Sequence, residues 1–449
     1  MNERVLKVAV IGGGMFFDDI IGQSLKDFQR GGIAGALTSI GMSHLAPEVA
    51  GIGVKFVAIG THSAKAGTAG KIAADFEKEF PGQAPKAHYG ETVWREILDE
   101  HKPDVLIVAT PDHLHTQPIL EALECGVHVL TEKPMCLKTD EADRMIALAA
   151  AKKLVLAVDL HKRYDPFVRE MMTHSLKKYD RINRIRAVLE EPLEVSTEVF
   201  KWAEHSNPFA YVGCHWLDVV AHYTGVFPAA LFATGQKNLL IHWDEYVKEV
   251  ARRQGRALRE FSKHAPIKTW DAVDVTVTYD NGMRGDYNNN WINPREFEGA
   301  VNQEIEVYGV LGRGFVDQQY RGFRETIIGD GTRTRNPTFG GRIQNAGGKV
   351  EIFGYGKASL VAGLLAIERV KFLGADPSAL ANTYPDAVSQ RSIVMIIEAA
   401  GAVAEKNFGY WQQGKGTPVS ARFERDAIVI VDPFGTPVET ALYRRASGG

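Results

Sequence analysis

The sequence predicts a two-part chain. An α/β domain with a doubly wound parallel sheet spans residues 1–160, and an α+β domain with an open, mostly antiparallel sheet spans 161–449. Three observations predict this. Up to residue 160, short β-branched runs alternate with helix-like stretches, the pattern of a parallel sheet covered on both faces. Beyond 160, apolar residues recur with period two, as in strands with one covered face. Between two such runs stands Asp280-Asn281-Gly282, a hairpin turn that makes its flanking strands antiparallel.

The elements follow in order. Residues 5–11 form a first strand ending in Gly12-Gly13-Gly14. Residues 54–59 form a second, followed by a helix over 64–80. A third strand, 105–109, is stopped by Thr110-Pro111. A helix over 116–125 leads through Gly126 to a strand over 127–130, and a helix opened by Thr139 or Asp140 leads to a strand over 154–158. Right-handed crossovers make a doubly wound sheet the default for this series. The connection 18–53 is long and reads as an insertion near a ligand mouth. In the second part, strands are expected at 184–189, 273–279, 285–290 and 304–309, and helices at 245–264, 360–373 and 385–405. Residues 327–356, rich in Gly, Thr, Arg and Asn, read as long loops.

Composition excludes several classes. Hydrophobic residues make up 45% of the 449 and charged ones 24%, ordinary values for a packed globular chain. With 52 basic and 55 acidic side chains the net charge is −3, which offers no footprint for nucleic acid or an anionic membrane. The cysteines, Cys125, Cys136 and Cys214, form no C-x-x-C pair and point to a reducing, cytoplasmic setting. A strand that begins by residue 5 leaves no room for a signal peptide. The longest apolar run, 392–404, contains Glu398 and reads as a buried helix rather than a membrane span.

Four motifs carry chemistry, each beside a plainer reading. Gly12-Gly13-Gly14, with Met15 and Phe16 opening the next helix, lets the backbone and its free N–H groups approach a pyrophosphate. The fingerprint's third small residue is Phe17 here, so an ordinary tight turn competes. The second strand ends in Thr61-His62-Ser63-Ala64-Lys65 without the acid that would bind a ribose 2′-hydroxyl. Hydroxyls with His62 and Lys65 suit a 2′-phosphate, which tilts the cofactor from NAD towards NADP; a solvated loop is the alternative. Thr131-Glu132-Lys133-Pro134 lies at the carboxyl edge, where such sheets bind ligands, although a surface turn has the same composition. Finally, a helix over 213–224 would put His215 and Asp218 on one face, four residues after Tyr211; a satisfied core histidine is the alternative. His113 and His115 have no third ligand at a recognisable spacing, so no metal is expected.

Together these residues resemble the Gfo/Idh/MocA family of sugar and cyclitol oxidoreductases. The match runs through the glycine turn, Ala109-Thr110-Pro111-Asp112-His113-Leu114-His115, the 126–134 segment ending in Glu132-Lys133-Pro134, Arg163-Tyr164-Asp165-Pro166 and Gly213-x-His215-x-x-Asp218. The resemblance implies a Rossmann domain whose nicotinamide cofactor is held by Gly12, Gly14, Thr110, Pro111, His115 and Glu132. It implies that Lys133 and His215 converge on a substrate hydroxyl. His215 would act as general base and Lys133 would stabilise the alkoxide. The family pattern D-x-x-x-H-x-x-D places Tyr211 where the first acid stands, a departure that leaves Tyr211 and Asp218 as orienting or proton-handling residues. His161, Arg163 and Tyr164 are expected to face the substrate. Trp291, with Trp202 and Trp216, is either a sugar platform or a core aromatic. The expected activity is hydride transfer between NAD or NADP and a sugar, glycoside or cyclitol. The alternatives are glycoside cleavage through a transient oxidation and a non-catalytic dinucleotide-binding regulator. An uncovered sheet face predicts a homo-oligomer.

Overall fold

The computed structural model describes residues 4–255, 267–294, 297, 299, 301–320, 323–327, 331–344, 347–438 and 441–445. The first elements are β1 (Arg4–Ile11), α1 (Gly22–Ser39), β2 (Ile52–Thr61), α2 (Thr68–Glu79), β3 (Lys86–Tyr89), α3 (Val93–His101), β4 (Val105–Val108), α4 (Thr116–Glu124), β5 (His128–Thr131), α5 (Thr139–Lys152) and β6 (Leu156–Val158). The strands pair in parallel in the order β3-β2-β1-β4-β5-β6. The next are α6 (Pro166–Glu170), β7 (Ile182–Pro192), α7 (Cys214–Thr224), β8 (Pro228–Gln236), α8 (Trp243–Gln254), β9 (Ala272–Tyr279), β10 (Arg284–Asn293), β11 (Asn302–Gly309), β12 (Arg313–Asp317), β13 (Phe323–Ile327) and β14 (Gly331–Arg335). The chain ends with α9 (Pro337–Gly340), β15 (Gly341–Gln344), β16 (Val350–Phe353), α10 (Tyr355–Leu373), α11 (Ala387–Gln413), β17 (Ser420–Glu424), β18 (Ala427–Val431) and β19 (Tyr443–Arg444).

Two compact units result, and their boundary is not the single cut at 160. The first comprises Met1–Cys136, Glu141–Pro166 and Pro337–Arg391; the second comprises Leu137–Asp140, Phe167–Asn336 and Ser392–Gly449. The return of 337–391 has a physical cause. Right-handed crossovers place α1 and α2 on one face over β1–β3, and α3 to α5 on the other. Half of the first face, over β4–β6, is then bare. Leu360, Val361, Leu364, Leu365 and Ile367 of α10 cover it and share one buried cluster with Ile107, Leu130 and Ala157. Gly363 marks the closest approach, since a Cβ there would stand 2.9 Å from Leu130 and 3.1 Å from Ala157. Each such buried side chain contributes about 1.5–3 kcal/mol. Closing a loop of roughly 170 residues costs about 5 kcal/mol, so burial wins.

The long 18–53 connection is no detached insertion; it is the first crossover, mostly α1. That helix bends at Gly32 (φ 63°), where a Cβ would meet the Ile52 carbonyl at 2.4 Å. The expected loops at 327–356 hold two hairpins instead, β13–β14 and β15–β16. Gly331–Arg335, GTRTR, alternates polar residues with period two, so its strand pattern carries no hydrophobic signal.

The second unit is built on a nine-stranded sheet, β12-β11-β7-β10-β9-β8-β17-β18-β19, antiparallel except for β7 beside β10. The helix expected over 245–264 is observed as Trp243–Gln254, and 256–266 lie outside the described residues. By length and composition α11 could cross a membrane. Its Glu398, however, accepts hydrogen bonds from the Thr139 N–H (2.9 Å) and hydroxyl (2.7 Å), and Ile393 to Ile397 are buried, as in a core helix.

Candidate active site

Register creates the site in the first unit. Ile11, Gly60, Val108, Thr131 and Val158 lie in one row across five parallel strands. The next residues are tied across the same edge: Gly12 N–H to Gly60 O (2.9 Å), Ala109 N–H to Ile11 O (2.8 Å), Glu132 N–H to Val108 O (2.8 Å) and Asp159 N–H to Thr131 O (2.7 Å). Gly12, Thr61, Thr110, Glu132, Lys133, Asp159 and His161 therefore share one carboxyl edge, where ligands of doubly wound sheets bind.

At the topological switch between β1 and β4, only glycine fits. Gly12 has φ +97°, and a Cβ there would lie 2.0 Å from the Ala109 carbonyl. Gly14 meets the opposite condition: nothing lies within 4 Å of where its Cβ would be, which leaves an open cradle beside the helix start. Met15 is exposed and Phe16 half-buried. Phe17, in place of the third small residue, turns inward and packs on Phe56, with ring centroids 6.4 Å apart. The helix accommodates it with a wider i→i+5 turn over Phe17–Ile21, and Gly22 leaves room for the ring. The missing glycine is thus absorbed in the helix, and the turn itself keeps its shape.

Thr61 borders this turn, its methyl 3.3 Å from where a Gly13 Cβ would stand. His62, Ser63 and Lys65 beyond it are exposed. His115 is fully buried, with Nε2 2.8 Å from the Thr110 carbonyl and Nδ1 2.8 Å from the Pro134 carbonyl. Burial holds its imidazole below the ordinary histidine range, so the neutral ring donates from one nitrogen at a time. His115 therefore fastens the Thr110-Pro111 loop to the Lys133-Pro134 loop and offers no surface to a ligand, which corrects its expected contact with the cofactor.

Beside Lys133 lies a carboxyl pair that no sequence motif marks. Glu132 and Asp159 leave adjacent strands with both carboxyls buried. Burial, then repulsion from Asp159, drives Glu132 well above the carboxylate range. Burial pushes Asp159 up to about 7, opposed by the neighbouring Glu132 and Ser359 and by the Lys133 charge. With both carboxyls held up by burial, the pair is not fully ionised at neutral pH. Asp159 was legible only as an acid one residue past a parallel strand.

His161 is buried among rings: Phe16 stacks on it at 5.8 Å, with Phe339 at 5.1 Å and Tyr355 at 5.7 Å. Burial puts it well below the histidine range, so it is neutral. Phe339 and Tyr355 arrive from the returning segment, which the sequence did not connect to this edge. Arg163 is buried, and Tyr164 is half-buried where it packs against the unit's core.

In the second unit, α7 carries His215 and Asp218 at i,i+3, both buried. Trp216 pins the helix to the sheet through Nε1–H to the Val188 carbonyl (2.9 Å). A Cβ on Gly213 would meet Phe209 at 2.8 Å and Asn289 at 2.9 Å, so the helix start lies close to β10. Tyr211 stands in a ring cluster with Phe200 (4.7 Å), Trp202 (5.5 Å) and Trp291 (6.2 Å). Trp291 is wholly buried and its Nε1–H donates to Glu191 (2.7 Å). It is therefore a core aromatic that backs Tyr211, not the sugar platform expected as one reading.

Comparison with known proteins bears on the fold and the family. Residues 6–160 match a model described as an oxidoreductase family with an NAD-binding Rossmann fold, and 178–313 match the GFO/IDH/MocA C-terminal domain. The D-glucoside 3-dehydrogenase of Escherichia coli is 32% identical over 156 residues, 33% of this chain and 44% of that protein. The chain spans less than two thirds of the curated relatives it matches. Among solved structures, GenD2 from gentamicin A biosynthesis, in complex with NAD, superposes with a TM-score of 0.62 at 16% identity, covering 94% of this chain and 97% of that one. Myo-inositol 2-dehydrogenase from Lactobacillus plantarum gives 0.60 at 15% identity, covering 94% and 100%. With both domain models matched in order over more than half its length, the chain belongs to the Gfo/Idh/MocA oxidoreductase family.

Proposed function

We propose that this chain moves a hydride between a nicotinamide dinucleotide, NADP in preference to NAD, and a secondary hydroxyl or keto group of a sugar, glycoside or cyclitol. The carrying observation is the single carboxyl edge that joins the Gly12–Gly14 turn to Lys133. The open cradle at Gly14 and the helix start after it fit a pyrophosphate, and His62 and Lys65 beside Thr61 fit a 2′-phosphate. Bound there, the cofactor supplies the carbon that takes or gives hydride. Relatives named as sugar and cyclitol dehydrogenases support the substrate class.

In this reading Lys133 donates a hydrogen bond to the reacting oxygen and stabilises its negative charge. The buried Glu132–Asp159 pair holds the ammonium in place behind it. His215 takes the hydroxyl proton, with Asp218 and Tyr211 fixing its ring. The open face of the second sheet, where Phe232 and Phe315 are exposed, supports assembly as a homo-oligomer.

The test is turnover of sugars and cyclitols with each cofactor, followed by the near-ultraviolet absorbance of reduced nicotinamide. Lys133→Ala and His215→Ala should each cost about 100-fold or more in kcat, with cofactor Kd changed less than about threefold. Near-normal turnover in either variant removes that residue's role. Sugar release without net cofactor change would point instead to glycoside cleavage through a transient oxidation.

A further inference from the structure

The edge strand of the first sheet carries a second constellation, unrelated to the cofactor edge chemistry. His88 lies on β3, and Glu96, Glu100 and His101 lie on α3, with Glu96 and Glu100 one helical turn apart. The two imidazoles meet nitrogen to nitrogen, with Nε2 atoms 2.8 Å apart and ring planes at 85°. The Glu100 Oε2 is 3.9 Å from His88 Nε2, and one ligating atom from each of His88, Glu100 and His101 lies within 4.8 Å of the others. On the far side of its ring, His88 Nδ1 stands 3.1 Å from Glu96 Oε1.

That outer carboxylate decides the chemistry. The Glu96 carboxylate favours the proton on the facing Nδ1 of His88, which leaves the lone pair of Nε2 towards His101. A carboxylate fixing the tautomer of a histidine is the usual outer support of a metal ligand. Lys86 pairs with Glu100 through Oε1, which leaves Oε2 turned to the imidazoles.

We propose that His88, His101 and Glu100 bind one divalent cation of the zinc class, with Glu96 as the positioning residue. Two imidazoles and one carboxylate suit Zn²⁺, at roughly 2.0–2.2 Å per ligand, far better than Mg²⁺ or Ca²⁺, which prefer oxygen. Binding replaces the hydrogen bond between the two Nε2 atoms, with His101 taking the tautomer protonated on Nδ1, so the neutral rings release no net proton. Water fills the remaining position. The cation would join the edge strand β3 to α3, beside Gly60, where a Cβ would already crowd Val93 and Ile97 of the same helix.

The test uses the full chain, stripped with chelator and titrated with Zn²⁺ by calorimetry and with Co²⁺ by visible absorbance. The expected result is one Zn²⁺ per chain, an affinity loss of at least about tenfold in His101→Gln and in Glu100→Gln, and roughly tenfold in Glu96→Gln. His101 and Glu100 sit at the end of α3 and Glu100 is partly exposed, so these variants leave the buried His88 and the sheet intact. Zn²⁺ should also slow hydrogen exchange in β3 of the parent chain and leave it unchanged in His101→Gln. Equal stoichiometry and affinity in the parent and His101→Gln, or no binding by the folded parent, would overturn the site.

Discussion

Glu368 sits in α10 with no solvent exposure, and neither of its carboxylate oxygens has a hydrogen-bond partner among the described residues. Burial pushes it from 4.5 to about 8, opposed only by the charge of Arg4. The folded chain therefore keeps a proton there that the unfolded chain releases near pH 4.5. A raised carboxyl favours the folded state fully below the unfolded value and loses that contribution as pH rises through 8. At 1.36 kcal/mol per unit, the whole span amounts to roughly 5 kcal/mol, of which about 2–3 kcal/mol falls between pH 6 and 9. Glu368→Met removes the titrating group and nearly conserves volume. Hydrogen exchange of peptides within Tyr355–Leu373, corrected for intrinsic rates, should show α10 opening more easily in the parent chain at pH 9 than at pH 6 by that amount. The methionine variant should be nearly flat. Because α10 supplies Tyr355 to the His161 ring cluster, cofactor affinity should weaken with pH in parallel. The same pH slope in parent and variant, within about 0.5 kcal/mol, would refute the reasoning.

Three other outcomes follow from the geometry. Gly12→Ala forces a Cβ to 2.0 Å from the Ala109 carbonyl at φ +97°, and should lower stability by about 2–4 kcal/mol and cofactor affinity at least tenfold, read by urea unfolding and fluorescence titration. Asp159→Asn removes the Asp159 titration and leaves the buried Glu132 in place. The parent's Asp159 is pushed up to about 7, so its contribution to stability is lost as pH rises through 7, and the variant should lose that inflection in thermal scans between pH 5 and 9. Trp291→Phe should cost about 1–3 kcal/mol of stability through lost packing and the lost hydrogen bond to Glu191, while KM for the sugar changes less than about threefold; a tenfold rise in KM would restore Trp291 as a platform.

The legible parts were those fixed by local chemistry. Three glycines after a β-branched strand, Thr110-Pro111 after the next, and Glu132-Lys133-Pro134 after another all report strand ends, because a turn constrains its own residues. Phe17 was legible as a departure, but not its remedy, since an i→i+5 turn and a clash-free Gly22 depend on where Phe56 stands. The buried settings of His115 and Trp291 are not legible in the sequence, because a polar or aromatic side chain has the same sequence signature whether it faces a ligand or a buried partner.

From the amino-acid order alone come the alternation of strand and helix, the parallel sheet with its glycine turn, the hairpin at Asp280-Asn281-Gly282 and the family. Tertiary structure decided that 337–391 returns to the first unit, that Glu132 and Asp159 are buried together on adjacent strands, and that His88 meets His101. Strand and turn preferences act over a few neighbouring residues and are written in them. Burial of a bare sheet face, and the loss of water around paired carboxyls or imidazoles, involve groups far apart in the chain and exist only once it has folded.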